Sequence, residues 1–378
     1  MVERNSKLLP ASINPQNDNQ VVCPSSVISD PSPIADKKPV YGRDLNSSDM
    51  LLLGPNKVLS RIFVEEYSLG PVFSCDSSEA FSTTSRKVIV DDGTHNYFIK
   101  EKPKYCCTPY SLSLAAEFQA FLAERSNFVP RIVQTSSGDA YLRLGERYFF
   151  TTEYIKGRMF NGSVRDVQGA GEMLGIMHSL SEEFIFQDQH NLHASEDAIQ
   201  FIDLADQLAG ASDDEWRIKT VSALRSLVNK YKDQLDRDVP YIVNHGDYAP
   251  FNLVYDKDGN VVAVNDFDNV NFRPRTRDLA GAILSFCDGL SYAGATSTLR
   301  RPIATTIDIE KTKAFVEGYK ANSQPLSEKE KGDLIGEMCI RWAKIMSLGI
   351  VRGDFNYEDV FNALGFVDFI EEQIPQLI

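Results

Sequence analysis

Long hydrophobic runs are missing from the 378-residue chain. None approaches the roughly 18 to 20 apolar residues that a bilayer crossing requires, so a membrane-spanning protein is excluded as an expectation. The first residues also lack a compact apolar stretch, and no secretory signal is expected. Cysteine is sparse and scattered: Cys23, Cys75, Cys106, Cys107, Cys287 and Cys339 form no C-x-x-C pair. That pattern speaks against a zinc ribbon and a disulfide scaffold and favours a reducing cytoplasm. Histidine is limited to five residues without metal-ligand spacing, which disfavours a zinc hydrolase. Positive charge is in deficit as well, with a formal net charge of −14. A surface this acidic repels nucleic acid and anionic membrane.

What is present is the composition of a globular protein, 43% hydrophobic and 24% charged. Residues 1–47 are rich in Ser, Asn and Pro without sustained periodicity and read as a disordered or loosely packed leader. A strand-like region follows, with "SRIFVEEYSL", the hairpin "RKVIVDDGTHNYFIK", and, after an intervening helix, "DAYLRL" and "RYFFTTEYI". The helix, "YSLSLAAEFQAFLAERS", puts Leu114, Phe118, Phe121 and Leu122 on one stripe. From Asp166 onward the pattern is mainly helical, ending in "YEDVFNALGFVDFIEEQI". The layout predicts an α+β protein with a β-rich lobe over residues 48–155, a helical lobe over 156–378, and a site in the cleft between them. No internal repeat is visible.

One stretch interrupts the helical half: "VNHGDYAPFNLVYDKDGNVVAVNDFD", residues 243–268. "FNLVYD" and "NVVAVND" read as two short strands joined at "KDG", with Asp256, Asp258 and Asn260 doing turn work. Such a hairpin brings Asn252, at the start of its first strand, toward Asp266, at the end of its second. One neutral and one anionic oxygen ligand then face each other, a donor set that suits Mg²⁺ shared with phosphate and water. Asp247, in the preceding loop, is placed to accept a proton from an incoming hydroxyl. An Asp, an Asn five residues on and a later metal-holding Asp-Phe form the pattern of kinase-type phosphoryl transfer.

"HGDYAPFN" and "DFD" together resemble the aminoglycoside phosphotransferase/choline kinase-like family, whose branches include homoserine kinase type II and spore-coat-associated kinases. "RDLAGAI", "LGIMH" (Leu174–His178) and "FVEGY" (Phe315–Tyr319) are similar to further elements of that family. The resemblance covers about residues 60–350. It implies a two-lobed protein kinase-like fold and ATP-dependent, Mg²⁺-dependent transfer of a phosphoryl group to a small-molecule hydroxyl. The acceptor would be an amino alcohol, amino acid, sugar or aminoglycoside-like compound. The implied roles are Asp247 as base, Asn252 and Asp266 as metal ligands, and His245 and Asp268 as structural or accessory residues. Lys100, at the end of "YFIK", resembles the lysine that holds the ATP phosphates, with Lys102 and Lys104 as alternatives beyond the strand; Glu117 would be its ion-pair partner.

The linker after "RYFFTTEYI" would present backbone groups of Glu153, Tyr154 and Ile155 to adenine, with Gly157 letting the chain turn. The phosphate-covering stretch "SCDSSEAFSTTS" departs from the family in having no glycine. Its hydroxyls, Ser77, Ser78, Ser82 and Thr83, are the substitute contacts. The polar segment at 285–302 would cover the acceptor, with Asp288, Tyr292, Arg300 and Arg301 as contacts. A pseudokinase-like scaffold is the first alternative, supported by the glycine-free loop. A kinase acting on a protein or peptide is the second, disfavoured by the missing Asp-Phe-Gly and Ala-Pro-Glu motifs.

Overall fold

The computed structural model describes residues 66–69, 74–77, 87–186, 194–208, 214–235, 238–287, 303 and 306–378. The leader therefore lies outside the described residues, as do Ser78, Ser82, Thr83, Asp288, Tyr292, Arg300 and Arg301.

A five-stranded antiparallel sheet in the order β1-β2-β3-β5-β4 forms the first lobe. Its strands are β1 (Ser74–Ser77), β2 (Lys87–Asp91), β3 (Asn96–Glu101), β4 (Leu142–Leu144) and β5 (Arg147–Glu153). The turn between β2 and β3 is built by Asp92, whose Oδ1 accepts from the backbone N–H groups of Thr94 and His95 at 2.8 and 2.7 Å. That turn pairs Asp91 with Asn96 and therefore, four residues out on each strand, Lys87 with Lys100. Helix α1 (Pro109–Arg125) follows β3 and starts at a Thr108 cap with Pro at its first position. Its stripe of Leu114, Phe118 and Leu122 is fully buried.

The helical lobe contains α2 (Val164–Ser181), α3 (Ala194–Leu208), α4 (Glu215–Tyr231), α5 (Arg275–Cys287), α6 (Ile309–Asn322), α7 (Glu328–Arg352), α8 (Tyr357–Asn362) and α9 (Gly365–Gln373). Two small antiparallel pairs are set into it, β6 (Tyr241–Asn244) with β9 (Asn271–Pro274), and β7 (Leu253–Tyr255) with β8 (Val261–Val264). The first of these pairs, and β1, carry no alternating pattern long enough to be legible in the sequence. The expected single C-terminal helix is split between α8 and α9. There the N–H groups of Ala363, Leu364 and Phe366 reach carbonyls three residues back, tightening the chain just around Gly365. Among the described residues no helix is long and apolar enough to cross a membrane.

The central packing of this lobe is the contact of α2 with α6, and it depends on glycine. A Cβ at Gly175 would stand 2.6 Å from the Tyr319 carbonyl oxygen, and one at Gly318 2.5 Å from that of Gln168. At Gly171 a Cβ would overlap the Phe315 carbonyl oxygen. Glycine on both helices thus lets the two backbones touch, fixing α2 where Ala170 can accept a hydrogen bond from Tyr248 Oη at 2.8 Å. In isolation a helical Gly→Ala change favours the helix by about 1 kcal/mol. Here the overlap with unyielding backbone should outweigh it. Gly171→Ala is expected to lower the unfolding free energy by roughly 1–3 kcal/mol in urea titration, the scale of core overpacking. A more stable variant would show that the two helices can part freely.

Candidate active site

The β6–β9 pair holds the beginning of the site. Strand β6 ends at Asn244, and the next three residues are His245, Gly246 and Asp247. Asp278, in the first turn of α5, accepts from the His245 N–H at 2.7 Å through one oxygen and from the Gly246 N–H at 2.8 Å through the other. Its carboxylate is 2% exposed. Burial alone would raise its pKa, but His178, at 3.7 Å, and the backbone donors hold it below the ordinary carboxylate value. Gly246 has φ +81°, and a Cβ there would overlap the Asn269 carbonyl oxygen, so only glycine fits. His245 contacts the loop on both sides: its Nε2 lies 2.9 Å from the Asn265 carbonyl, and its ring packs 4.9 Å from that of Phe267.

The hairpin places its ends as the spacing predicts. Asp256 closes the turn by accepting from the N–H groups of Asp258 and Asn260. Leu253 pairs with Val264, and one step further out the Asn265 N–H donates to the Asn252 carbonyl at 2.8 Å. Asn252 is buried, and its Nδ2 donates to the Asp247 carbonyl at 2.8 Å and to Asp247 Oδ2 at 3.2 Å. That commitment leaves its Oδ1 as the acceptor. Asp247 is raised above the ordinary carboxylate pKa, chiefly by burial, with Asp266 adding to it and His245 and Arg341 opposing. Asp266 adopts the left-handed backbone conformation, φ 73°. A non-glycine residue held there stores roughly 1–3 kcal/mol, a cost usually met at sites where side-chain direction matters.

Across the cleft the sheet contributes three lysines. Lys100 pairs with Asp266 and, at 2.5 Å, with Asp268. Lys102 reaches the other oxygen of Asp268 at 2.5 Å and lies 4.3 Å above the Phe150 ring. Lys87, brought alongside Lys100 by the hairpin register, stands 3.7 Å from Asp266. Burial would neutralise Lys100, but the two carboxylates prevail and raise its pKa; Asp266 is correspondingly held well below its ordinary value. Lys87 is lowered by burial and by its neighbour Lys100. Three cations thus face two anions.

One expectation is corrected here. Glu117 is exposed on α1 and is not the partner of Lys100; its position falls on the solvent side of the buried Leu114–Phe118 stripe, and Asp266 and Asp268 take the role instead. Lys102 lies past the end of β3, as expected from Pro103 and the turn after it, and is 6% exposed and paired with Asp268. In the linker, the Glu153 N–H donates to the Arg131 carbonyl and the Tyr154 N–H to that of Asn96. Glu153 can therefore offer only its carbonyl, and Ile155 carries the linker N–H without a backbone partner among the described residues. Gly157 is required by close approach rather than by a turn, since a Cβ would stand 2.6 Å from the Tyr255 carbonyl oxygen.

With this geometry in place, comparison with known proteins is decisive. A family profile described as the phosphotransferase enzyme family matches residues 81–312. The chain belongs to that family. No curated protein sequence matches it. Among solved structures, an amicoumacin kinase in complex with AMP-PNP, Ca²⁺ and its antibiotic superposes with a TM-score of 0.60 at 15% identity, covering 84% of this chain and 94% of that one. A microcompartment-associated aminopropanol kinase gives 0.55 at 17% identity, with 83% and 94% covered. A spectinomycin phosphotransferase bound to ADP and spectinomycin gives 0.54 at 14% identity, with 85% and 98% covered. At these identities the superpositions establish the kinase-like fold. The protein is a phosphotransferase with a kinase-like fold.

Several residues of this phosphotransferase's site escape reading along the chain. Lys87 could have been found by counting outward from the "DDGT" turn. Asp278 lay in a quoted motif, but its bonds to the His245 loop are a tertiary event. His178 likewise belongs to a quoted motif, and its Nδ1 lies 3.0 Å from Tyr319 Oη.

The pair His178–Asp278 generates a pH prediction. His178 is fully buried and its pKa is lowered from 6.5 by that burial. As pH falls below about 6.5 the unfolded chain gains a proton that the folded one resists, so stability declines. Asp278, lowered from 3.8, keeps its contribution until the pH falls below that value. Melting temperatures between pH 7.5 and 4.5 should therefore fall, and His178→Gln should flatten the slope. An unchanged slope would assign the decline to other groups.

Proposed function

We propose that this kinase transfers the γ-phosphoryl group of ATP, with Mg²⁺, to a hydroxyl of a small molecule. The observation that carries the reading is a single connected array. Asp247 is hydrogen-bonded by Asn252, Asn252 is tied through the hairpin to Asp266, and Asp266 pairs across the cleft with Lys100. Asp247 orients the acceptor hydroxyl and takes its proton as the oxygen bonds to the γ-phosphorus. The bond from that phosphorus to the β–γ bridging oxygen breaks, and ADP leaves with the electron pair. Because the transition state is loose, a carboxylate of modest basicity is sufficient and positioning provides most of the rate.

The residues fit a magnesium ion. Asn252 Oδ1 and the Asp266 carboxylate are hard oxygen donors, and no group of three His, Cys, Asp or Glu side chains that could hold a metal occurs among the described residues. Two protein ligands leave most of an octahedral shell to phosphate and water, the habit of Mg²⁺. When bound, the ion offsets phosphate charge. Lys100 and Lys87 would contact phosphate oxygens, and the excess of lysine over aspartate matches a polyanion. Lys87 would thus take over part of what a glycine-rich loop does elsewhere with backbone N–H groups. Ser82 is assigned to the same loop, the Glu153 carbonyl and Ile155 N–H to the adenine edge, and Asp288, Tyr292 and Arg300 to the acceptor side. A soluble, cytoplasmic setting is part of the proposal.

The test is ATP consumption over a panel of small hydroxyl compounds with Mg²⁺. Asp247→Ala should lower kcat by about 10²–10⁴-fold, the usual worth of a positioned base, while a fluorescent ATP analogue still binds. Equal turnover in the variant would remove Asp247 from the role. Lys87→Met should chiefly raise the KM for ATP, by about 10-fold for one lost charge-assisted contact. An unaltered KM would mean that Lys87 serves only to balance Asp266.

A further inference from the structure

Strand β3 alternates its side chains between the two faces of the sheet, and the alternation continues one residue past its end. Glu101 lies on one face, where Arg147 of β5 holds both its oxygens at 2.6 Å. Lys100 and Lys102 lie on the other, toward the cleft. The Lys102 N–H donates to the Tyr148 carbonyl at 2.8 Å, so the ladder still fixes its backbone. Opposite the two lysines, Asp266 and Asp268 have the same spacing along the chain. Phe267 between them is buried, its ring 4.9 Å from that of His245 and 6.2 Å from that of Phe118 on α1.

Five charges therefore stand in one row of alternating sign: Lys102, Asp268, Lys100, Asp266 and Lys87. Lys102 takes one oxygen of Asp268 at 2.5 Å, and Lys100 takes the other at 2.5 Å. Lys100 also pairs with one oxygen of Asp266, and Lys87 lies 3.7 Å from the other. The row has a closed end and an open one. The side chains of Lys102 and Asp268 are 4% and 3% exposed, whereas those of Asp266 and Lys87 are 16% and 14% exposed. The Phe150 ring, 4.3 Å from the Lys102 ammonium, covers the closed end further. A ligand entering from solvent meets Asp266 and Lys87 first and Lys102 last.

We propose that Lys102 and Asp268 are positioning residues: Lys102 clamps Asp268, and Asp268 holds Lys100 toward the nucleotide phosphates when Asp266 turns to Mg²⁺. The inference rests on the kinase reading of the site, and it assigns Asp268 to the lysine rather than to the metal. Each oxygen of Asp268 is committed to an ammonium group, which makes it a poor metal ligand. Lys100, once parted from Asp266, keeps its direction only if its second carboxylate stays in place. The buried Lys102 keeps it there, because uncoupling that pair would leave an unmatched charge in the interior.

The experiment titrates a fluorescent ATP analogue over a range of Mg²⁺ concentrations that begins in EDTA. Asp268→Asn should weaken binding by about 10-fold, saturating Mg²⁺ included, the worth of one charge-assisted contact. The Mg²⁺ midpoint should stay where it is. The sign of the change is informative, since removing a negative charge beside a polyanion would by Coulomb's law alone tighten binding. Lys102→Met should match the loss, and Lys102→Arg, which keeps the charge, should restore part of the binding. The double variant Lys102→Met/Asp268→Asn should lose no more than either single one, as expected of residues acting as one unit. Charge alone would leave it near wild type. The KM for an acceptor hydroxyl compound should not change in any of them.

Binding that is tighter or unaltered in Asp268→Asn overturns the proposal. A loss that saturating Mg²⁺ recovers overturns it too, and makes Asp268 a metal ligand. Losses that add in the double variant separate the two residues and overturn the clamp. Thermal melting identifies any single variant that fails to fold. The double variant, which removes both charges of the pair together, then carries the test: weaker binding at saturating Mg²⁺ upholds the proposal, and wild-type affinity overturns it. Failure of the kinase reading is separate, since it shows in the wild type as no nucleotide binding at any Mg²⁺ concentration.

Discussion

The carboxylate of Asp278 is the constraint on which the site depends. It is buried at the start of α5 and spends both oxygens on consecutive backbone N–H groups of the loop that carries Asp247. A buried charge is tolerable only when donors surround it, and a buried N–H only when an acceptor does. Each side of this contact therefore removes the other's penalty. The same carboxylate faces His178 on α2, which in turn meets Tyr319 on α6. Through one side chain the loop is referenced to three helices, and the glycine-mediated approach of α2 to α6 keeps those helices in fixed register.

On that fixed platform the electrostatics divide by location. The sheet side brings three lysines and the hairpin side two aspartates, a closely paired ionic cluster with one cation in excess. Pairing at this depth is held by geometry rather than by the attraction alone, since desolvation offsets much of the Coulombic gain. Beyond Asp247 the charges of Asp278, Arg277, Glu337 and Arg341 come from helices α5 and α7. Asp247 lies between the two regions, and burial raises its pKa on the side of proton acceptance. The proposed role of Asp247 as proton acceptor would require such a boundary position.

Much of this was legible along the chain because it depends on local spacing. The turn residues Asp256, Asp258 and Asn260 dictate the hairpin, and the hairpin dictates that Asn252 meets the strand bearing Asp266. The α1 stripe follows from helical period, and Lys100 from its place at a strand end. Glu117 failed for an instructive reason. Its identity and helix were read correctly, but whether a helical glutamate faces a lysine depends on how the helix lies against the sheet, and α1 turns it to solvent. The burial of Lys102 is not legible along the chain, because Phe150 and Asp268 come from elsewhere in the sequence to cover it.

The sequence by itself determined the secondary elements of the site, the residue types able to do phosphoryl-transfer chemistry, and the pairing of Asn252 with the Asp266 strand. These follow from interactions within some twenty residues, where chain geometry leaves few choices. Only the tertiary structure decided which carboxylates neutralise Lys100 and which anchor holds the Asp247 loop. Those outcomes join residues 32 to 168 positions apart, and burial, which decides whether a charge must be paired, is a property of the packed molecule rather than of any segment.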